Sequence, residues 1–316
     1  MQKTNKGQIL GWIGVVIILL AAPLLLGKYT IFLLSLLAIY SLVSLGLNLL
    51  MGYTGQIAAG HAGFLALGAY FTAIIGDNLQ WMPCPVILLM AGIFSGIIGF
   101  LLGIPILRLK GFYIAMATLA FGVVVSEVIL QWSSLTGGDN GFSVPTARIA
   151  GFAFDSDLKL YYLIIPVTLA MTLLARNLAN GYIGRAFIAL RESEIAAQTI
   201  GIDLARYKTI AFAISAFYTG VAGGLFAYLI TFLSPDAFSI ELSIDFIAMI
   251  VIGGMGSILG SIIGAVILTG MQQILAGLLD LQILIFGISL IVFMIFMPRG
   301  ISGMIYGLKE RYADSK

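Results

Sequence analysis

The chain has 316 residues, of which 60% are hydrophobic and 9% charged, with a net charge of +2. A soluble domain carries about 25% charged residues, so the composition excludes a water-soluble fold and marks an integral membrane protein. One cysteine (Cys84) and one histidine (His61) exclude an internal disulfide, a Cys/His zinc site and a C-x-x-C redox pair.

A bilayer crossing takes about 20 mostly apolar residues. In chain order, spans are expected at 9–26, 30–50, 55–75, 85–107, 111–131, 160–177, 209–231, 243–258, 260–279 and 282–297. The eighth is short, so 243–279 also reads as one span plus a re-entrant piece. The expected fold is an all-α polytopic membrane protein of about ten transmembrane helices, some short or re-entrant, in a single domain over 1–316. Met1–Gln8, with Lys3 and Lys6, looks like a signal-peptide start. Pro23 behind Ala21 and Ala22 is a poor cleavage context, so the first span is expected to be retained. With ten crossings, 13 basic residues fall on the side of the termini, and only Lys28, Arg148 and Lys159 on the other. The positive-inside rule then places both termini in the cytoplasm.

Helices in lipid associate through close backbone approach at small residues. Such residues recur four apart at Ser95, Gly99 and Gly103, at Ala216, Gly220 and Gly224, and at Gly256, Gly260 and Gly264. The stretch GYTGQIAAGHAGFLALGAY, residues 52–70, holds five glycines. At about 100° per residue, Gly55, Ala59 and Gly63 share a small face with Ala58, Ala62 and Ala66. Most of this run therefore reads as a regular helix. Gly52, Tyr53 and Thr54 before it read as a break or a helix start, with Thr54 a candidate N-cap. Gln56 and His61 lie on the opposite arc. The sharper reading is that some spans are bent or interrupted around a permeation path.

Ionisable groups inside a span are candidate functional residues; here they are His61, Glu127 and Asp245. His61 either lines a path and relays a proton or sits neutral in a hydrogen bond between helices. Glu127 and Asp245 lie near the external ends of their spans, where both can simply reach water. Two loops are long enough to hold structure. In the cytoplasmic one, 177–208, Ser193 is placed to cap a short helix beginning at Glu194, and Gly201 to end it in a left-handed turn. Ile195 with Thr199, and Ala196 with Ile200, make this helix half apolar, suited to a groove on another protein or to the lipid surface. The external one, 132–159, contains Thr136, Gly137, Gly138, Asp139, Asn140 and Gly141. There the glycines and Asn140 allow positive φ, for a plain turn or for a binding surface. The chain carries no phosphate-binding G-x-x-x-x-G-K-[ST] and no nucleophile-plus-base motif, so it is not expected to be an enzyme.

Three stretches in order, GYTGQIAAGHAGFLALGAY, LKGFYIAMATLAFG with SLTGGDNG, and GRAFIALRESEIAAQTIGID with IGGMGSILGSIIGA, resemble the LivM-type permeases of bacterial branched-chain amino acid ABC importers. The likeness covers about residues 40–300. It implies a single transmembrane permease domain in the bacterial inner membrane, importing Leu, Ile or Val. Urea-type permeases share the plan, and a stand-alone ion-coupled transporter is the rival mechanism. The resemblance also implies a second, LivH-like permease, two cytoplasmic ATPase subunits that bind ATP and Mg, and a periplasmic binding protein docking on 136–141. This chain itself would bind no cofactor, metal or nucleic acid. Residues 185–201 would be the coupling helix seated on an ATPase, with Arg185, Arg191, Glu192, Glu194, Ala196, Ala197 and Gly201 engaged. The general importer pattern is E-A-A-x-x-x-G; here Ile195, Ala196, Ala197 and Gly201 align, with Glu194 one place early. The expected path includes Gly52, Tyr53, Thr54, Gly55, Gln56 and His61, with free N–H groups at 52–55 meeting a substrate carboxylate.

Overall fold

The computed structural model describes residue 23 and residues 26–106, 109, 111–149, 151–275, 282–297 and 300–304. The expected first span, 9–26, lies almost wholly outside the described residues. Eleven helices follow among the described residues: α1 (Lys28–Thr54), α2 (His61–Asn78), α3 (Cys84–Ile106), α4 (Phe112–Gln131), α5 (Asp157–Asn180), α6 (Tyr182–Glu192), α7 (Glu194–Thr199), α8 (Leu204–Ile230), α9 (Ile240–Gly253), α10 (Ile258–Leu275) and α11 (Gln282–Phe296). A further helical turn lies at Ser133–Thr136. Six of them, α1, α3, α4, α5, α8 and α10, are long and apolar enough to cross a membrane. The expected span at 243–258 appears as a helix of 14 residues, short of a full crossing; the one at 282–297 is helical over Gln282–Phe296 of the described residues.

The bundle is organised around α8. Helix α2 runs parallel to it, from His61 at Ser215 through Gly68 against the Gly220 backbone to Thr72 at Gly224. Helix α3 runs antiparallel, from Gly92 against Phe217 and Val221 down to Gly103 against Thr209. Helix α1 is also antiparallel, with Tyr40 stacked on Phe226 at 6.3 Å and Gly46 beside Ser215 and Thr219. The first two small-residue rows read from sequence are therefore helix contacts, as their spacing requires. Of the third row, Gly260 and Gly264 press against Met249 and Gly253 and join α9 and α10 in an antiparallel hairpin, whereas Gly256 lies in the turn between them at φ +78° and is not part of a helix face.

One end of the bundle carries α6 and α7. The other carries two small antiparallel pairs: β1 (Phe142–Ser143) with β4 (Phe232–Leu233), and β2 (Arg148–Ile149) with β3 (Phe152–Ala153).

The glycine-rich stretch departs from expectation. Gly52, Tyr53 and Thr54 are neither a break nor a helix start; they form the last turn of α1. Thr54 is not an N-cap: its hydroxyl donates to the Leu50 carbonyl at 2.5 Å. The helix ends one residue later, where Gly55 takes φ +74° and its N–H bonds Met51 O at 3.2 Å. Residues 55–60 are non-helical, and α2 begins at His61. Gly55 and Ala59 therefore share no helical face with Gly63. The interruption is real, but it lies just after the residues that sequence reading assigned to it.

Candidate functional site

The backbone at the interruption is held by side chains from two other helices. The Ala59 N–H donates to Thr118 Oγ1 at 2.9 Å, and the Ala62 N–H donates to Ser243 Oγ at 3.0 Å. The Gly63 N–H reaches Gly60 O at 3.1 Å. Donors left open at a helix start need such partners, and here hydroxyls of α4 and α9 supply them. The free N–H groups expected at 52–55 are not present: these residues lie at the end of α1, where carbonyls rather than N–H groups are left over.

His61, the first residue of α2, is 1% exposed. Its Nε2 lies 2.7 Å from Ser215 Oγ on α8, and its ring meets Phe64 edge-on at 5.8 Å. Nδ1 has no hydrogen-bond partner among the described residues. Gln56 is equally enclosed; its Nε2 donates to Thr54 Oγ1 at 2.9 Å. The geometry thus gives His61 the interhelical hydrogen bond that was one of its two readings, and His61 does not line either of the two cavities described below. Asp245 of α9, half buried, accepts from Gln272 Nε2 of α10 at 2.7 Å.

Beside the interruption is a cavity of about 240 Å³ between α2, α4 and α9. Ala59, Ala62 and Ser243 form its buried floor; Glu127, Asp236 and Ser239 stand at its exposed rim. No ion pair involves Glu127 or Asp236 among the described residues. Sequence reading singled out Glu127 but missed Asp236 and the serines, which sit in short connections or among apolar residues and show no spacing of their own. A second, apolar groove of about 870 Å³ lies on the outside of the bundle between α3, α5 and α8.

At the opposite end, α7 is built by local signals. Ser193 accepts from the Ala196 N–H at 3.2 Å, and the helix starts at Glu194. Gly201 at φ +86° ends it: its N–H bonds Gln198 O at 3.1 Å and the Ile202 N–H bonds Ala197 O at 3.0 Å. This pair of bonds, with glycine in the left-handed region, closes the helix carbonyls. Ala197 turns inward, whereas Ile195 and Ile200 are 79% and 73% exposed. Glu194 bonds the buried Lys208 ammonium at 2.7 Å, which anchors α7 to the start of α8. The acid that stands one place early in the importer pattern is thus engaged within the chain.

The basic residues of this loop separate in space. Arg185 turns back to α5, with Nη1 3.4 Å from Asn180 O and its guanidinium over the Tyr182 ring. Arg191 reaches the end of α1, donating from Nη1 to Gly52 O at 2.9 Å, and pairs with Glu192 at 2.8 Å.

At the β end, Thr136 is buried and its hydroxyl donates to the Ile129 carbonyl at 2.5 Å and lies 2.9 Å from that of Trp132. Gly137, Gly138 and Gly141 take positive φ, but Asn140 does not; three neighbouring glycines leave it no left-handed position to fill. Asp139 and Asn140 point outward beside the β1–β4 pair.

Residues 29–297 match the family described as the branched-chain amino acid transport system / permease component. The chain is 33% identical over 92% of its length to 74% of the high-affinity branched-chain amino acid transport system permease protein LivM of Escherichia coli. It is also 24% identical, over 72% of its length and 75% of the relative, to a probable LivM of Methanocaldococcus jannaschii. With the LivH permease of Salmonella typhimurium it shares 26% identity over 84% of its length and 91% of that protein. No solved structure matches the chain. A bundle of apolar helices joined through small-residue faces, matched along almost its whole length, belongs to the permease-component family of branched-chain amino acid transport systems.

Proposed function

We propose that this chain is a permease subunit of an ATP-driven importer of branched-chain amino acids, and that α7 is the element by which partner ATPases drive it. The substrate class rests on the LivM and LivH relatives, which are permeases of high-affinity branched-chain amino acid transport systems. The observation that carries the mechanism is the build of α7, capped at both ends and tied to α8 by Glu194–Lys208, with two large aliphatic side chains left outside. Exposed Ile195 and Ile200 on a short rigid helix suit the groove of another protein better than open water.

In this reading the basic α6–α7 end and both termini face the cytoplasm of a bacterial inner membrane. ATP and Mg bind on two ATPase subunits, and a periplasmic binding protein approaches the 136–141 turn. The second permease is LivH-like and completes the path against the exposed face of α4. The substrate is a zwitterion with an apolar side chain. Glu127 and Asp236 supply negative charge for its ammonium group at the mouth of the cavity beside 55–60, and the walls on α4 and α9 are largely apolar.

The test is ATP-driven leucine uptake in proteoliposomes containing the full complex. Ile195→Asp places a charge where an apolar contact is proposed and leaves the buried side of α7 untouched. The ATPases are expected to dissociate during purification, with uptake falling by about tenfold or more, the scale of a lost interface anchor. Uptake that continues without any ATPase and collapses with the proton or sodium gradient would overturn the reading.

A further inference from the structure

The turn between α9 and α10 and the C-terminal half of α1 are joined by one buried amide. Asn48 is 1% exposed in the middle of an apolar span. Its Nδ2 donates to Ser257 O at 2.8 Å and to Ser261 Oγ at 2.6 Å, and its Oδ1 accepts from the Gly256 N–H at 2.8 Å. Ser44 adds a bond to Ser261 O at 3.1 Å. A buried amide satisfied this fully, in a low-dielectric setting, makes the two elements move as one piece.

Arg191 is the contact between this piece and the α6–α7 module. Besides holding Gly52 O, its guanidinium lies over Gly256, where a Cβ would come within 2.9 Å of Nη1. Its side-chain stem lies over Gly55, where a Cβ would come within 3.2 Å of Cγ. Gly52, Gly55 and Gly256 therefore form a seat without side chains, open to one long cation from a helix 139 residues further along the chain. The charge also meets the leftover carbonyls at the end of α1, where a cation is favoured.

We propose that Arg191 is a positioning residue for coupled transport, carrying displacement of α6–α7 into α1 and the α9–α10 turn. This rests on the reading of α7 as the ATPase seat. The route is contiguous. Helix α7 follows α6 directly, α6 carries Arg191, Arg191 bonds Gly52 O of α1 and lies against Gly256, and Asn48 of α1 bonds the Gly256 N–H in the α9–α10 turn. Helix α9 then carries Ser243, which holds the Ala62 N–H and lines the cavity. A packed chain with two discrete arrangements is what coupling between distant sites requires. The role differs from touching the ATPase: Arg191 points into its own chain.

The experiment uses the full complex in proteoliposomes and measures three quantities: retained ATPase, ATP hydrolysis, and leucine transported per ATP. Arg191→Met keeps the aliphatic stem and removes the donors. It is expected to retain the ATPases and their hydrolysis while leucine per ATP falls about fivefold or more, within the usual range of coupling between sites. Arg191→Lys, which keeps one donor for Gly52 O, is expected to recover most of the ratio. Gly256→Ala displaces the guanidinium without removing it and, at φ +78°, also strains the turn that Arg191 contacts; the same fall is expected, and it serves if the methionine variant does not insert. An unchanged ratio in Arg191→Met or Gly256→Ala overturns the proposal, as does a lysine variant as uncoupled as the methionine one. Loss of the ATPases from Arg191→Met would also overturn it, since the residue would then be part of the docking surface. If Ile195→Asp keeps its ATPases, it is the seat reading that fails, independently of these outcomes.

Discussion

Helices α4 and α8 both read as membrane spans, with mean hydropathies of 2.0 and 1.7, yet their apolar windows are 22% and 78% buried. The more apolar helix is the more exposed one. In water that order would be reversed, because hydrophobicity drives burial. In a bilayer, lipid tails satisfy large aliphatic side chains, and close backbone approach decides which helix is central. Helix α8 carries Ala216, Gly220, Gly223 and Gly224, onto which α2 and α3 pack, while Gly46 of α1 rests on Ser215 and Tyr218. Helix α4 has Gly122 as its one glycine, and Val124 and Val128 face outward. Hydropathy finds the spans; small-residue spacing tells which of them is the core.

The largest test of that contrast is Gly68→Val at the α2–α8 contact. Its Cβ would fall within bonding-scale distance of the Gly220 backbone, where no rotamer can move the obstacle away. A cost of about 3 kcal/mol or more is expected, at the upper end of overpacking. It should appear as lost monodisperse permease in detergent and a lowered thermal midpoint. A well-folded variant would mean α8 is not the packing axis.

An intermediate test compares two glycines that face each other where α4 meets the interruption. A Cβ on Gly60 would run into the Thr118 carbonyl, whereas one on Gly122 would rest at 3.5 Å from Gly60 Cα, ordinary contact. Gly60→Ala should therefore destabilise by about 2 kcal/mol. Gly122→Ala should be neutral or gain up to about 1 kcal/mol from helix propensity. Equal effects in thermal unfolding would show that the α4 contact does not hold the 55–60 segment.

The smallest effect belongs to the β end, outside the bundle. The hydrogen bond from Lys159 to Asp155 at 2.6 Å, with the charge itself, holds the exposed Asp155 carboxyl below its usual range. Because the folded value is the lower one, the contribution is complete above the ordinary carboxylate pKa of about 3.9 and is lost as pH falls through the lower folded value. Asp155→Asn should shift the thermal midpoint slightly and equally between about pH 5 and 8, with the difference closing only in stronger acid. A difference that changes within the neutral range would point to a partner other than Lys159.

Much of the fold was legible because its causes are local. Runs of apolar residues mark spans, Ser193 and Gly201 bound α7, and glycines four apart mark contact faces. The candidate site was less legible. Glu194 read as a displaced motif residue, but its partner Lys208 lies 14 residues away on the next helix. Asn48 carried a signal that went unused: a lone amide within the run SLVSLGLNLL, costly in an apolar span unless fully bonded. Asp236, Ser239 and Ser243 gain meaning only when the turn at Pro235–Phe238, α4 and α9 close one cavity around them.

The sequence by itself determined that this is a polytopic membrane bundle, which faces are small, and where α7 starts and stops. Those properties follow from solvation and from bonds made within a few residues. Only the tertiary structure decided the fate of residues 52–70. Glycine and alanine at these positions suit both a flat helical face and an extended crossing, so periodicity alone does not separate them. The choice was made from outside the segment. Thr118 and Ser243 bond its backbone, Ser215 holds His61, and Arg191 seats on the last turn of α1. These bonds make an interrupted chain cost less in the membrane than donors left unpaired.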